Sequence, residues 1–421
     1  MKITVVGGGS TYTPELVEGL LLEAEALDLQ TVCLFDINET RLQVVGDMVK
    51  RMVNAKGNPF NVVNTTNRRE AITGADFVLT QIRVGGQQAR HDDTLICLEE
   101  DVIGQETTGA AGFAKAMRTI PVILDICDDI KKYAPNAWLI NFTNPAGIVT
   151  EAVLKYGGVN VIGLCNVPIG IQMAVAEDYG VCHEDVDLEY VGLNHLAWVR
   201  KIFVKGEDKT EEVLAKANRA KPSNIPELTI NSDFMEALGM RMNGYLNYFY
   251  LAHEMVDHLK SREKTRAQVV QEIEEALLEE YKDKNLVEKP KHLEKRGGAH
   301  YSTVAVSLIK DIHRNTGARH IVSVRNNSAI PELPEDVAVE VTAVVSGSGA
   351  VPLSIGKLEP EIRGLMQHVK AYEELTVEAA VHSDYYKALL ALATNPLVPS
   401  VNKAKRLLDR FIEHHNLPLR K

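Results

Sequence analysis

Along the first 165 residues, short apolar runs alternate with stretches of helical periodicity. The runs Lys2 to Val6, Thr31 to Phe35, Phe77 to Arg83, Trp138 to Phe142 and Val161 to Leu164 are rich in Val and Ile. Apolar on both sides and separated by amphipathic segments such as Pro14 to Leu27, they read as parallel strands buried on both faces. The pattern predicts an α/β fold that begins with a Rossmann-type doubly wound parallel sheet over residues 1–168. Ligands of such sheets lie at the carboxyl ends of the strands. Residues 169–421 change character and predict an α+β second domain, with a long charged helix over Ser261 to Lys282 and strands near His320 to Val324 and Val337 to Val345. Regular apolar spacing in Glu374 to Leu390 and Asn402 to His414 predicts closing helices packed on that second domain. Gly206 to Glu227, with its Lys, Asn and Pro, reads as an exposed excursion.

The totals sharpen this picture in three places. A chain of 421 residues exceeds one ordinary core, which agrees with two domains. No apolar run is long enough to cross a bilayer, no signal-peptide hydrophobic stretch opens the chain, and five scattered cysteines without a CxxC suit a reducing compartment. A cytoplasmic protein with no membrane partner is expected. A net charge of -11 without a basic stripe argues against nucleic acid, so an anionic small substrate would rely on local arginines.

The first candidate chemistry is a phosphate-binding turn. Strand Lys2 to Val6 runs into Gly7-Gly8-Gly9-Ser10-Thr11-Tyr12-Thr13-Pro14. Gly7 permits the tight turn, Gly9 removes a Cβ from the path of a pyrophosphate, and the helix opening near Pro14 offers free backbone N–H groups. Tyr12 stands where a third glycine is usual, which predicts looser helix packing there. Asp36, at the end of the second strand, is placed to take ribose hydroxyls and to disfavour a 2′-phosphate, hence NAD over NADP.

Cys165 follows the strand Val161 to Leu164, and His195 ends another short apolar stretch, Gly192-Leu193-Asn194-His195. Alone, each reads as a small buried hydrophobe or a satisfied polar residue. Together they read as a two-donor metal pair with open positions, as a catalytic site requires; Zn would tolerate it, and open octahedral positions for substrate oxygens favour Mn. Arg83, Arg90, the run Gly104 to Gly109 with Glu106, and Asn141-Phe142-Thr143-Asn144-Pro145 crowd the other strand tips, where each could equally be a solvated surface group. The aromatic stretch Gly244 to Tyr250 reads as core, Arg262 to Lys284 as a solvated helix face, and Arg296 to Tyr301 as a mixed loop.

Taken in order, Gly7 to Pro14, Ile82-Arg83-Val84-Gly85, Gly104-Gln105-Glu106-Thr107, Thr143-Asn144-Pro145, Cys165-Asn166-Val167-Pro168, Gly192 to His195 and Tyr245-Leu246-x-Tyr248 resemble glycoside hydrolase family 4 over nearly the whole chain. That NAD-dependent family is an exception to two-carboxylate glycoside hydrolysis. The tetrad beginning at Cys165 resembles its 6-phospho-β-glucosidase branch. The resemblance implies that Cys165 and His195 hold Mn²⁺ or another divalent metal. It implies NAD contacts from Gly7, Gly9, Ser10, Thr11, Asp36, Arg83 and Asn144, and contacts to a β-glucoside 6-phosphate or phosphorylated disaccharide from Arg90, Asn144, Asn166 and Arg266. Tyr245 would be the base, and Glu106 would raise its basicity. Asn166 stands at a catalytic position where α-specific relatives carry an acidic Asp, so the proton donor for the leaving group stays open between water and another side chain.

The implied reaction is oxidation at C3 of the sugar by NAD⁺, removal of the now acidic C2 proton, expulsion of the aglycone, water addition at C1 and return of the hydride. Metal at the C2 and C3 oxygens would stabilise the charge that develops. A homodimer or homotetramer is implied by the same likeness. Two other readings keep the glycine loop: a dehydrogenase of the lactate or malate type, and a non-catalytic NAD-sensing module.

Overall fold

The computed structural model describes residues 1–216, 228, 230–297 and 300–421, so half of the Gly206 to Glu227 excursion, residues 217–227, and two residues of the Arg296 to Tyr301 loop lie outside the described residues. The first half forms six parallel strands: β1 (Lys2–Val6), β2 (Thr31–Phe35), β3 (Asn61–Thr65), β4 (Phe77–Thr80), β5 (Trp138–Asn141) and β6 (Asn160–Gly163). Their spatial order, β3-β2-β1-β4-β5-β6, is that of a doubly wound dinucleotide fold. Strands β1, β2 and β4 are buried along nearly their whole length, as their continuous Val, Ile and Leu runs require. β3, which the apolar runs did not predict, is an edge strand with the polar-rich sequence NVVNT and one wet side.

The second half adds β7 (Val186–Leu193), β8 (Leu196–Val204), β9 (Glu207–Asp208), β10 (Arg241–Met242), β11 (Ala318–Arg325), β12 (Ala338–Ser346) and β13 (Gly349–Pro352). These are antiparallel, and β11 joins β6 through one residue pair, Ser323 opposite Gly163. One mixed sheet therefore runs through both halves in the order β10-β8-β7-β12-β11-β6-β5-β4-β1-β2-β3.

Several predicted boundaries move. The first helix is Thr13–Leu22 and gives way to turns before Leu27. β4 stops at Thr80, after which Gln81 leaves the ladder and its Nε2 donates to Gly7 O at 3.1 Å. The charged helix starts at Arg266, not Ser261, because Thr265 caps it in a reciprocal box with Gln268. Glu374 to Leu390 is two helices, Pro360–His382 and Tyr385–Thr394, parted by Ser383 at φ 54° and the cap Asp384.

The closing helices also pack elsewhere than expected. Helix Pro360–His382 lies against helices Gly109–Tyr133 and Ala146–Ala152 of the first half, and helix Val401–His415 against helix Gly86–Glu99. The apolar face of Gly109–Tyr133 needs cover, and Phe411 supplies it with its ring 6.5 Å from that of Phe113. His415 Nε2 also meets Asp93 Oδ1 at 2.7 Å, and Arg406 pairs with Glu100 at 2.8 Å.

A buried ion cluster fixes this docking. Lys370 Nζ stands 2.6 Å from Glu151 Oε2 and 2.5 Å from Glu373 Oε2, with Lys370 1% and Glu151 0% exposed. Burial pushes the Glu373 carboxyl up to about 6. Replacing the cation leaves an uncompensated buried carboxylate, so Lys370→Ala is expected to lower stability by about 3 kcal/mol in urea unfolding at pH 7; a loss within error of zero would show that the cluster does not hold the helix.

Candidate active site

One cavity of about 1100 Å³ runs from the glycine loop after β1 to the aromatic turn at Tyr245. At its first end Gly7 takes φ +92°, and a Cβ there would meet Gln81 O at 2.9 Å, so the turn requires glycine twice over. Gly9 N donates to Asp36 Oδ2 at 2.9 Å, and Asn38 N to Asp36 Oδ1 at 2.9 Å, which fixes the carboxylate at the tip of β2 beside the loop. Gly7, Gly9, Ser10 and Asp36 line the cavity. Thr11 lies buried beneath the wall, its carbonyl accepting from Tyr281 Oη at 2.7 Å. Tyr12 precedes the helix and packs its ring edge-on to Tyr301, centroids 5.9 Å apart.

In the middle, Glu106 gathers three cations. It pairs with Arg83, with Arg90 Nη2 at 3.1 Å and with Lys115 Nζ at 2.8 Å. Burial alone would push its carboxyl up, but the three positive charges outweigh that and hold it well below the ordinary 4.5. Burial lowers the Lys115 ammonium to about 7 in spite of the ion pair, with Arg83 adding repulsion, and lowers Arg90 to about 10. Asn144, which follows Thr143 beyond β5, and Asn166, the residue that precedes helix Val167–Tyr179, line the same space.

At the far end Tyr245 sits in a short 3₁₀ turn, 7% exposed, with its ring stacked on His195 at 3.9 Å between centroids and 16° between planes. His195 occupies the two-residue turn between β7 and β8 at φ 67°, a left-handed conformation that a non-glycine residue holds at a cost. Behind the rings, Cys165 Sγ lies 3.5 Å from His195 Nε2. Burial drives the thiol well above its ordinary range and the imidazole down to about 3, so both are neutral in the protein alone. A soft and a borderline donor converge there, and His195 Nδ1 has no partner among the described residues. No group of three His, Cys, Asp or Glu side chains that could hold a metal occurs among the described residues, so the pair offers two ligands and leaves further positions open. Arg266 reaches the cavity from the first turn of helix Arg266–Glu280.

Sequence reasoning missed several groups. Lys115 is the cation in an otherwise apolar helical stretch, GAAGFAKAM, and that contrast was the available signal. Glu274, in a helix read as a solvated face, is 7% exposed and accepts from Arg296 at 3.0 Å while pairing with Arg41 at 3.3 Å. Glu340 lies buried behind the cavity with its carboxyl raised to about 7 by burial, whereas Arg296 and Tyr301, from the stretch read as a mixed loop of the sort that lines sites, do line it, Tyr301 as the first residue of helix Tyr301–Arg314.

Family models described as family 4 glycosyl hydrolase match residues 2–181, and as the C-terminal domain of that family residues 190–398. The chain belongs to glycosyl hydrolase family 4. It is 46% identical, over 99% of its length and 96% of the relative's, to a probable 6-phospho-β-glucosidase of Bacillus subtilis. The solved 6-phospho-β-glucosidase of Thermotoga maritima with manganese, NAD⁺ and glucose-6-phosphate superposes with a TM-score of 0.93 at 39% identity, covering 100% of this chain and 99% of that one. A 6-phospho-α-glucosidase from gut microorganisms, in complex with NAD and glucose-6-phosphate, gives 0.91 at 31% identity, covering 100% and 99%.

The charge balance of the family 4 site yields a direct test. Glu106→Gln strands Arg83 and Arg90, with a partly protonated Lys115, in a confined space and is expected to cost about 3 kcal/mol of stability at neutral pH. Because the native carboxyl titrates below 4.5, the gap between wild type and variant should persist above that value and close only as pH falls further, with the share owed to Lys115 fading above about 7 as its ammonium loses its proton. Urea unfolding of both proteins across pH 4 to 8 checks it; a gap that vanishes at neutral pH would refute the assignment.

Proposed function

We propose that this family 4 chain hydrolyses 6-phospho-β-glucosides, such as cellobiose 6-phosphate, with NAD and Mn²⁺ or another divalent cation. The carrying observation is the alignment along one cavity of a dinucleotide loop with its Asp36, a row of arginines and Tyr245, whose ring stacks on His195 with Cys165 beside the imidazole behind the wall. The greater identity to a β-named relative than to an α-specific structure favours the β anomer.

In this reading Gly7, Gly9, Ser10, Thr11, Asp36, Arg83 and Asn144 hold the dinucleotide, and Cys165 with His195 the cation. Arg90, Asn144, Asn166 and Arg266 bind and orient the phosphosugar. When bound, the nicotinamide takes and returns the C3 hydride, and the cation polarises the neighbouring oxygens. The phenol oxygen of Tyr245 then removes the C2 proton. Arg90 and Arg266 lie within electrostatic reach of that oxygen, and Glu106, which pairs with Arg90, takes the part of the neighbouring carboxylate that raises the basicity of the base in this reading. Asn166 is an amide, so no carboxylic acid stands at that position to protonate the leaving oxygen. The enzyme is read as a cytoplasmic homodimer or homotetramer; five unpaired cysteines support a reducing compartment.

Purified protein with NAD⁺, Mn²⁺ and a thiol reductant is expected to hydrolyse p-nitrophenyl β-glucoside 6-phosphate, prefer it to the α anomer, and show no lasting NADH absorbance. Steady NADH accumulation would favour a dehydrogenase, and no turnover of either anomer would favour a sensor. During turnover, substrate deuterated at C2 should exchange with solvent, and Tyr245→Phe should lower kcat by about 10²- to 10⁴-fold with NAD affinity retained. Full retention of the label removes Tyr245 from the role of base.

A further inference from the structure

Behind the site lies a carboxylate that the chemistry above does not use. Glu340, on β12, is 1% exposed, and both of its oxygens are occupied. Oε1 accepts from Asn194 Nδ2 at 2.9 Å, and Oε2 accepts from Tyr190 Oη at 3.1 Å. Asn194 immediately precedes His195 in the β7–β8 turn. Tyr190 Oη accepts in turn from Asn243 Nδ2 at 3.0 Å, and Asn243 Oδ1 accepts from the backbone N of Tyr245 at 3.0 Å. One carboxylate is thus bound, by one bond and by a chain of three, to the two turns whose side chains stack on each other.

The sheet does not need this group. β12 and β7 are joined by backbone pairs such as Glu340 with Gly192, and an apolar side chain would fill the space without the cost of a buried carboxylate. His195, by contrast, holds a strained backbone that persists only where its surroundings fix it. We propose that Glu340 is a positioning residue: through Asn194 it sets the turn that aims the His195 imidazole at Cys165, and through Tyr190 and Asn243 it sets the turn that carries Tyr245. The inference rests on the reading of Cys165 and His195 as the cation pair and Tyr245 as the base.

The test is Mn²⁺ titration of the NAD-loaded protein, with free ion read by electron paramagnetic resonance, beside NAD affinity by tryptophan fluorescence and steady-state kinetics. Glu340→Ala should weaken Mn²⁺ binding by about tenfold or more, as loss of a residue that orients a metal ligand does, with NAD affinity unchanged. Glu340→Gln should restore most of the affinity, because its amide oxygen still accepts from Asn194. Tyr190→Phe cuts only the second arm and is mild enough to fold if Glu340→Ala does not; it should lower kcat with KM and Mn²⁺ affinity kept. Wild-type Mn²⁺ affinity in Glu340→Ala, a Gln variant as weak as the Ala variant, or unchanged kcat in Tyr190→Phe overturns the proposal. Cys165→Ser separates the two levels: if it binds Mn²⁺ like wild type, the cation reading itself fails, whereas loss there with none in Glu340→Ala sinks only the role of Glu340.

Discussion

The site exists because strands from both halves of the chain lie in one sheet. Cys165 follows β6 and His195 follows β7, with β11 and β12 between those strands. The seam is narrow: β6 and β11 share one residue pair, Ser323 with Gly163. A Cβ on Gly163 would stand 2.3 Å from Thr150 Oγ1 and 2.8 Å from Ser323 Cβ, so the strands approach this closely only over a glycine. Widening the seam would shift β7 and β12 together away from the first half and part the thiol from the imidazole. The parallel sheet supplies the dinucleotide end, the antiparallel extension supplies the imidazole, and their continuity makes one cavity of the two.

Electrostatics follow from the same geometry. The chain carries a net charge of -11, yet the cavity is lined by Arg83, Arg90, Arg266 and Arg296. Left unpaired, these would repel one another in a confined space, and two carboxylates pair with three of the four. Glu106 holds Arg83, Arg90 and Lys115, while Glu274 holds Arg41 and Arg296. Each carboxylate serves several cations, so positive charge remains in excess, which suits anionic ligands while keeping the cavity stable without them.

The sequence made the parallel half readable because its strands are buried on both faces and hence continuously apolar; only β3, wet on one side, escaped that pattern. Every residue singled out for the site is found at or just behind the cavity, for strand tips and glycine turns leave local marks. Less legible was anything set by distant packing. Nothing local marks Glu340, a lone carboxylate in an apolar strand, or shows that Glu274 faces inward from a helix with charges on many positions. The closing helices had the expected periodicity, but periodicity reports that a face is buried and not what covers it. Ser383 and Asp384 show the same limit, since a left-handed residue and a cap split what apolar spacing alone reads as one helix.

The number of donors argues for chemistry over structure. A structural metal site closes around its ion with four protein ligands, whereas two leave the ion dependent on other oxygens. Cys165 and His195 are each buried, at 2% and 5% exposure, and neither lines the cavity directly. What does line it is Tyr245, whose ring lies flat against the imidazole. The phenol therefore stands between the Cys165–His195 pair and the open cavity, which is the placement that the proposed roles of base and cation pair require. A cysteine and a histidine read singly are ordinary buried residues; held 3.5 Å apart behind a stacked tyrosine, they become the donor pair that the proposed cation reading needs.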